Sequence, residues 1–441
     1  MSSRAPIPLL ASPSDPCAAT GARVLTEPPA IGGRIKERPE DFFVEEIPLA
    51  EPSGTGAFLH VFLEKTGMST SETVDLLAQK LGVSRGDISY AGMKDKQAVT
   101  RQVLSIEAPL IDPARVRELE DDRLRVLWAD RHPEKLKRGQ LAGNRFAIKI
   151  RGVDASAAPA AYRALRELER RGVPNRFGVQ RFGARRNNHE VGARLLLGDA
   201  EGAIAHIVAP YDGVGEHLAD AGARARFAAG DLRGALKEFP RASRAERRVV
   251  EALLDGAGPR DALDWIDETQ HRFWLSAVQS AVFNHVLEAR VRDQTFDVLL
   301  EGDIALRHTR DRTRRDPLAV DAEVLADPDL PRRLEEFELS PTGPMWGPGM
   351  VRAAGAVGDA EAAALRAVGL TLGDLERYDA VHGDDLIRGS RRELRVPVRE
   401  ATVEGGADEI GPYVLCAFTL PSGAFATVVM DEIMRPAEGA A

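Results

Sequence analysis

The feature that most constrains this chain is that strand-like alternation occurs at both of its ends and nowhere between. Near the start, Phe42 to Leu49 and Ala57 to Leu63 read as strands, the second with Ala57, Leu59, Val61 and Leu63 on one face. A short strand at Ile88 to Ala91, an alternating stretch running to Ile106, and a strand at Asn144 to Ile150 follow. Alternation returns only at Leu394 to Val403 and Tyr413 to Leu420. From about Leu195 to Asp267 the sequence is alanine-rich and helix-favouring, and Phe273 to Arg292 reads as a long buried helix. Gly302 to about Leu372 reads as irregular. Strands grouped at the two ends imply an α+β chain in which a β-rich domain is interrupted by a largely helical insertion, with roughly the last 45 residues rejoining the first sheet.

Local signals place helices within the first part. Ser69 and Glu72 have capping-box spacing, Val74, Leu77, Ala78 and Leu81 form an apolar stripe, and Gly82 ends it. Ala157 to Arg171 is a second helix. The first thirty residues carry six prolines and one early positive charge, which reads as a flexible N-terminal tail rather than a signal peptide.

Composition narrows the function classes. With 59 Lys+Arg against 68 Asp+Glu the net charge is −9, so any surface for nucleic acid must be local. Cys17 and Cys416 are the only cysteines, too few for a disulfide framework or a Cys-rich zinc site, and a reducing cytoplasm is expected. No apolar run reaches the ~18–20 residues of a membrane span. Glycine-rich phosphate loops, a His-Glu-x-x-His helix and a Gly-x-Ser-x-Gly elbow are absent. No metal or small-molecule cofactor is expected.

Four constellations could carry chemistry. In Tyr90 to Gln102 a strand ends, Gly92 turns the chain, and Asp95 sits between Lys94 and Lys96. Flanking cations would favour an ionised Asp95 fit for nucleophilic or electrostatic work; an aspartate merely capping a turn fits the same residues. Pro174 to Asn188 packs four arginines, two phenylalanines and three asparagines into fifteen residues. Arginines neutralise phosphates and aromatic faces stack on bases, but a structural turn with buried phenylalanines is an equal reading. Lys36-Glu37-Arg38-Pro39-Glu40-Asp41-Phe42 reads as turn chemistry leading into a strand, with Phe42 in the core. Leu420 to Thr427 reads as a strand breaking into a helix, with Phe425 again core. Basic clusters at Lys135 to Arg138, Arg307 to Arg315 and Arg388 to Arg395 read singly as solvated faces, and together as local sites for a polyanion.

In this order, the four constellations resemble the TruD family of tRNA pseudouridine synthases, and Phe273 to Asn284 is similar to the helix that opens the core of the family's inserted domain. The match runs from about Lys36 to Glu432. The resemblance implies a V-shaped, two-domain α+β protein: a pseudouridine synthase catalytic domain from residues 31–190 and 393–436, and an inserted, largely helical TRUD domain from 191–392, after a tail at 1–30. It implies isomerisation of uridine, at position 13 of tRNA, by a monomer with no cofactor and no membrane contact. By similarity Asp95 is the catalytic aspartate, Phe42, Asn175 and Phe425 are substrate-site residues, Phe177 stands where other pseudouridine synthases have a tyrosine, and Lys36 contacts a phosphate or the active site. Two departures stand out: Met430-Asp431-Glu432 replaces a family run containing arginine, and the stretch from about Glu201 to Asp261 is longer than in compact bacterial members. Two other readings fit part of the pattern. One is a tRNA-binding or folding module without catalysis; the other is an aspartate-dependent glycoside hydrolase, for which Glu40 or Asp41 could supply a second carboxylate.

Overall fold

The computed structural model describes residues 25–435, apart from 27, 50, 108–110, 211–218, 309–314 and 384–385. Most of the expected N-terminal tail, and the middle of the basic cluster at 307–315, lie outside the described residues.

The chain divides into two compact units, one from 24–173 and 396–441 and one from 174–395. The divisions fall at Val173/Pro174 and Arg395/Val396, so the segment 174–190, expected with the chain ends, packs with the inserted unit. The physical reason is visible at Phe177, whose backbone N–H and C=O are both bonded by the side-chain amide of Asn284 on the long helix Glu268–Arg292.

The unit built from the chain ends is one eight-stranded sheet. Its elements are β1 (Phe42–Pro48), β2 (Phe58–Thr66), α1 (Thr70–Leu81), β3 (Ile88–Tyr90), β4 (Val99–Glu107), β5 (Leu124–His132), β6 (Leu141–Arg151), α2 (Ala158–Arg171), β7 (Arg399–Asp408), β8 (Gly411–Pro421) and α3 (Ala426–Met434). The strand order is β7-β8-β6-β1-β4-β2-β5, with β3 paired to β4. All pairs are antiparallel except β1 with β4, which run parallel from the register Phe43↔Val99. The C-terminal hairpin joins the sheet along β6, with Leu420 opposite Asn144 and Cys416 opposite Ile148.

Apolar spacing explains how helices cover this sheet. Helix α1 begins with the Ser69–Glu72 capping box and ends at Gly82, which is left-handed at φ 68°. Its Val74 and Leu77 pack on Leu59, Val61, Leu63, Leu104 and Ile106 from β2 and β4. Helix α2 buries Ala161, Ala164, Leu165 and Leu168 and lies on β7 and β8 with α3 beside it. Strand β2 starts at Phe58 rather than Ala57, which is exposed, and its inward alternation continues past Leu63 to Lys65.

The N-terminal segment is tied down before residue 31. Leu25 and Thr26 are buried, and their amides both donate to the buried carboxylate of Glu432 on α3. Glu432 thus turns inward, while Asp431 beside it, where the family run has arginine, is exposed. A second tie joins the chain ends across the sheet. Arg151, 2% exposed, bonds Asp41 at 2.6 Å and Asp408 at 2.6 Å, and Arg38 adds bonds to Asp41 and Asp408. Asp41 is therefore fully buried rather than simple turn chemistry.

The inserted unit is mainly helical but not irregular after Gly302. It carries a four-stranded sheet in the order Ser390–Glu393, Leu339–Met345, Ile304–His308, Arg315–Ala319, and the helices Gly355–Ala367 and Leu372–His382. Its alanine-rich stretch forms a core of its own, from Ile204, Ile207, Val249, Val250 and neighbours. The basic run 388–395 is no solvated face: Arg391 forms a buried pair with Glu361 at 2.6 Å, and Arg395 is buried against the Leu334 carbonyl.

Candidate active site

The turn after β3 is held from beneath by polar side chains at positions where the alternation would place core residues. The Thr70 hydroxyl, at the first position of α1, accepts the Lys94 amide at 2.9 Å and donates to Gln102 Oε1 at 2.9 Å. Gln102, buried on β4, donates in turn to the Gly92 carbonyl. Lys94 points inward and pairs with Glu46 of β1 at 2.7 Å, the two side chains being 6% and 1% exposed. Glu46 Oε1 also accepts the Val103 amide. The backbone of the turn is therefore fixed at Gly92 and Lys94, and Asp95 is carried by whatever these groups dictate.

Asp95 itself stays accessible, its side chain 35% exposed. Its Oδ1 accepts the Gln97 amide at 3.2 Å, and its Oδ2 is paired with Lys36 Nζ. Burial pushes the Asp95 carboxyl up, but the Lys36 hydrogen bond and charge, with the Gln97 and Lys96 amides, outweigh it and hold the group below the usual carboxylate range. The cation that ionises Asp95 is thus Lys36, from far earlier in the chain, and not its neighbours. Lys94 is consumed by Glu46, and Lys96 pairs with Glu72.

Lys36 sits at φ 61°, a left-handed conformation uncommon for a non-glycine residue. Its ammonium also lies 4.5 Å above the Phe42 ring, which is buried and meets Phe146 edge-on. Beneath the same turn, Lys65 is fully buried and donates to the Met68 carbonyl at 2.5 Å. Burial, with the Lys94 charge, pushes the Lys65 ammonium down to about 8 against the opposing pull of Asp95 and Glu72.

The structure therefore brings Lys36, Phe42 and Asp95 together. Phe425 stands at the N-cap of α3, half-buried, after the turn through Gly423 at φ 82°; it is tied to the others through β8, β6 and β1. Asn175 and Phe177 lie in the inserted unit and form a second group. There the Asn175 amide donates to the Glu393 carbonyl at 3.0 Å and accepts from Arg392. The Arg392 guanidinium lies 4.1 Å from the Phe177 ring centroid, and Phe283 meets that ring edge-on. Burial pushes Arg392 down to about 10.

Glu46, Thr70 and Lys65 carry no role in the sequence reading, and Arg392 enters it only as part of the basic cluster Arg388 to Arg395. The signal for two of them was present. Phe42, Val44 and Glu46 alternate inward on β1, and Leu59, Val61, Leu63 and Lys65 on β2, so each charged residue ends an apolar face. Among the described residues no three His, Cys, Asp or Glu side chains come together as metal ligands would. No described helix is long and apolar enough to cross a membrane.

The family model for tRNA pseudouridine synthase D (TruD) matches residues 21–433 of the chain. The chain belongs to the TruD family. A TruD protein is a pseudouridine synthase, an isomerase acting on tRNA. The chain is 38% identical over 411 residues to tRNA pseudouridine synthase D of Geobacter metallireducens, covering 92% of this chain and 96% of that one. With the Geobacter sulfurreducens protein it shares 39% over 423 residues, 95% and 98% of the two chains. The crystal structure of a TruD protein from Methanosarcina mazei superposes with a TM-score of 0.78 at 27% identity, over 93% of this chain and 95% of that one. The α+β architecture described above is thus the TruD fold.

Proposed function

We propose that the protein converts uridine 13 of tRNA to pseudouridine, with Asp95 as the carboxylate that acts at the ribose. The observation that carries this is the state of Asp95: ionised by Lys36, still accessible, and mounted on a turn that buried polar bonds hold in place. The reaction breaks the C1′–N1 bond, turns the uracil, and rejoins it through C5; the C5 proton is lost and N1 gains one, so no redox partner or hydrolytic water is consumed. As C1′–N1 opens, positive charge grows on the sugar. A fixed, ionised carboxylate stabilises that charge or bonds to it, and Lys36 keeps it ionised until then.

Before any of this the base must leave its stack, which costs a few kcal/mol and requires aromatic or apolar surfaces to receive it. In this reading Phe42 and Phe425 line the base pocket, Lys36 also steadies the nucleotide, and Asn175 and Phe177 contact the substrate from the inserted unit. Asn175 does so through the amide hydrogen left after its bond to Glu393. The protein works as a cytosolic monomer.

The test is pseudouridine mapping on unmodified tRNA by carbodiimide-stop primer extension, comparing the parent with Asp95→Asn. The parent is expected to give a new stop at uridine 13. Asp95→Asn should give none while binding tRNA within roughly several-fold of the parent, since only the interaction specific to the transition state is removed. A stop that survives in Asp95→Asn would remove Asp95 from the chemistry, and a stop elsewhere would overturn the site assignment.

A further inference from the structure

The inserted unit contains a cation whose environment makes sense only with an anion beside it. Arg181 follows Gly178 in a short 3-10 turn, and its guanidinium lies 5.2 Å from the Phe177 ring centroid and 5.7 Å from that of Phe273. Its one described hydrogen bond goes to a neutral partner, Ser276 Oγ, at 3.2 Å. No described carboxylate pairs with it, although arginines all over this unit are paired, Arg391 with Glu361 and Arg290 with Asp303 among them. Burial alone pushes its pKa down.

The neighbouring charges add to the imbalance. Arg392 shares the Phe177 ring with Arg181; the Glu393 charge favours its charged form, while those of Arg181 and Arg315 oppose it. The local carboxylate, Glu393, is shared by His308 at 2.5 Å and Arg315 at 3.6 Å. A partly buried guanidinium that stacks on aromatic rings and lacks a counter-charge, as Arg181 does, costs the folded protein stability. It is also well suited to meeting phosphate oxygens with its planar fork of donors. Phe273 and Ser276, which hold Arg181, line an open groove of about 870 Å³ whose wall includes Arg244, Arg272 and Asn188 and also the carboxylates Glu246 and Asp267. The cation thus stands at the edge of a space that a nucleic-acid strand can reach.

We propose that Arg181, with Arg392 behind the shared ring, receives a backbone phosphate of the tRNA on the inserted unit, the groove beside Phe273 taking the adjoining nucleotide. This rests on the tRNA reading above. The site is one of affinity and placement; the chemistry remains at Asp95.

The experiment uses the full chain and an unmodified tRNA transcript. Arg181→Gln keeps a donor for Ser276 and removes the charge; Arg260→Gln, an exposed arginine of the same unit, controls for net charge alone. Binding is measured from about 50 to 200 mM salt, with turnover and melting temperature alongside. The expected result is tRNA affinity weakened roughly ten-fold at low salt, a log–log salt slope shallower by roughly 0.7–0.9, and a loss of kcat/KM that resides mainly in KM. The melting temperature should hold or rise, since an unpaired charge has been removed. Arg260→Gln should leave slope and affinity near the parent's. A parent-like slope in Arg181→Gln overturns the proposal. A melting temperature several degrees lower with an unchanged slope also overturns it, by showing that Arg181 only braces Phe177 and Ser276. A parent that neither binds nor modifies tRNA would overturn the underlying tRNA reading, an outcome read on the parent before any variant is made.

Discussion

Glu46→Gln is the perturbation that most directly asks whether the buried pair under the Asp95 turn holds that turn in place. Glutamine keeps the shape of the side chain and an oxygen for the Val103 amide, so neither a cavity nor a lost acceptor confuses the result. What changes is that the Lys94 ammonium, 6% exposed and 2.7 Å from its carboxylate in the parent, loses its counter-charge. Removing one member of so buried a pair costs about 3–5 kcal/mol, because the remaining charge cannot reach water without moving. The unit that contains it spans 24–173 and 396–441, and at about 2–4 °C per kcal/mol for that size the melting temperature should fall by roughly 6–20 °C. Lys94 gains most by swinging out, and its amide is one of the two points at which the turn is fixed, so turnover should fall even where the variant is folded. The double variant Glu46→Gln/Lys94→Met removes the stranded charge and should recover much of the lost stability. Thermal melts read by circular dichroism, and single-turnover pseudouridine formation measured well below the variant's melting point, give the two quantities. A Glu46→Gln protein that melts within about 1 °C of the parent would refute the reasoning, as would a double variant whose loss equals the sum of the two single losses.

Two further predictions concern pH. Hydrogen bonds and charge from Arg151 and Lys149 hold Asp408 well below the usual carboxylate range; at Asp41, burial pushes up but Arg151 and Arg38 outweigh it. Their contribution is complete above the unfolded value of about 4 and is lost as pH falls through the folded values, so Asp408→Asn should melt lower than the parent at pH 7, with the gap narrowing progressively as pH falls below about 4. Parallel gaps at every pH would remove the Arg151 tie from the stability of the chain ends. Lys65 has the opposite behaviour: with its ammonium held at about 8 against an unfolded 10.5, the unfolded chain binds more protons between those values, so stability climbs with pH across that window. The climb amounts to roughly 3 kcal/mol at most and should be missing from Lys65→Met. Denaturant melts of the two proteins at pH 8 and pH 10 decide it, and equal slopes would show that Lys65 is not held neutral by its surroundings.

Much of the fold was legible because period-2 and period-3.6 patterns at the chain ends were unbroken: β1, β2, β4, β6, β8 and the capped α1 follow from them. The misses share a physical origin. Strand β5 runs Leu124-Arg-Val-Leu-Trp-Ala-Asp-Arg-His at the sheet edge, where after Val126 no residue is fully buried, so no alternation was selected. The strand Leu339–Met345 carries Pro341 and Pro344, residues that argue against a strand, although it lies inside the small sheet of the inserted unit. Pro397 interrupts the expected strand at 394–403, which resumes at Arg399. The helix Gly355–Ala367 has no side-chain cap to announce it.

The candidate site divides along the same line between what is local and what is not. Asp95 could be singled out because its turn is written in adjacent residues, but its cation could not: proximity in sequence points to Lys94 and Lys96, and the structure gives that role to Lys36. A turn imposes no fixed periodicity on side-chain direction, so a flanking charge is as free to face the core as the solvent: Lys94 turns inward to Glu46 on β1 while Lys96 stays exposed. The more useful sequence signal is the charged or polar residue that occupies an inward position on an otherwise apolar face. Glu46, Lys65 and Gln102 all do so, all three are buried, and all sit around the turn that carries Asp95. A chain gains nothing in core stability from such residues, since apolar side chains of similar volume would serve at least as well. Their concentration beneath one accessible carboxylate is therefore better explained by what that carboxylate has to do than by folding alone, and it ties the position of Asp95 to the stability of the sheet that holds it.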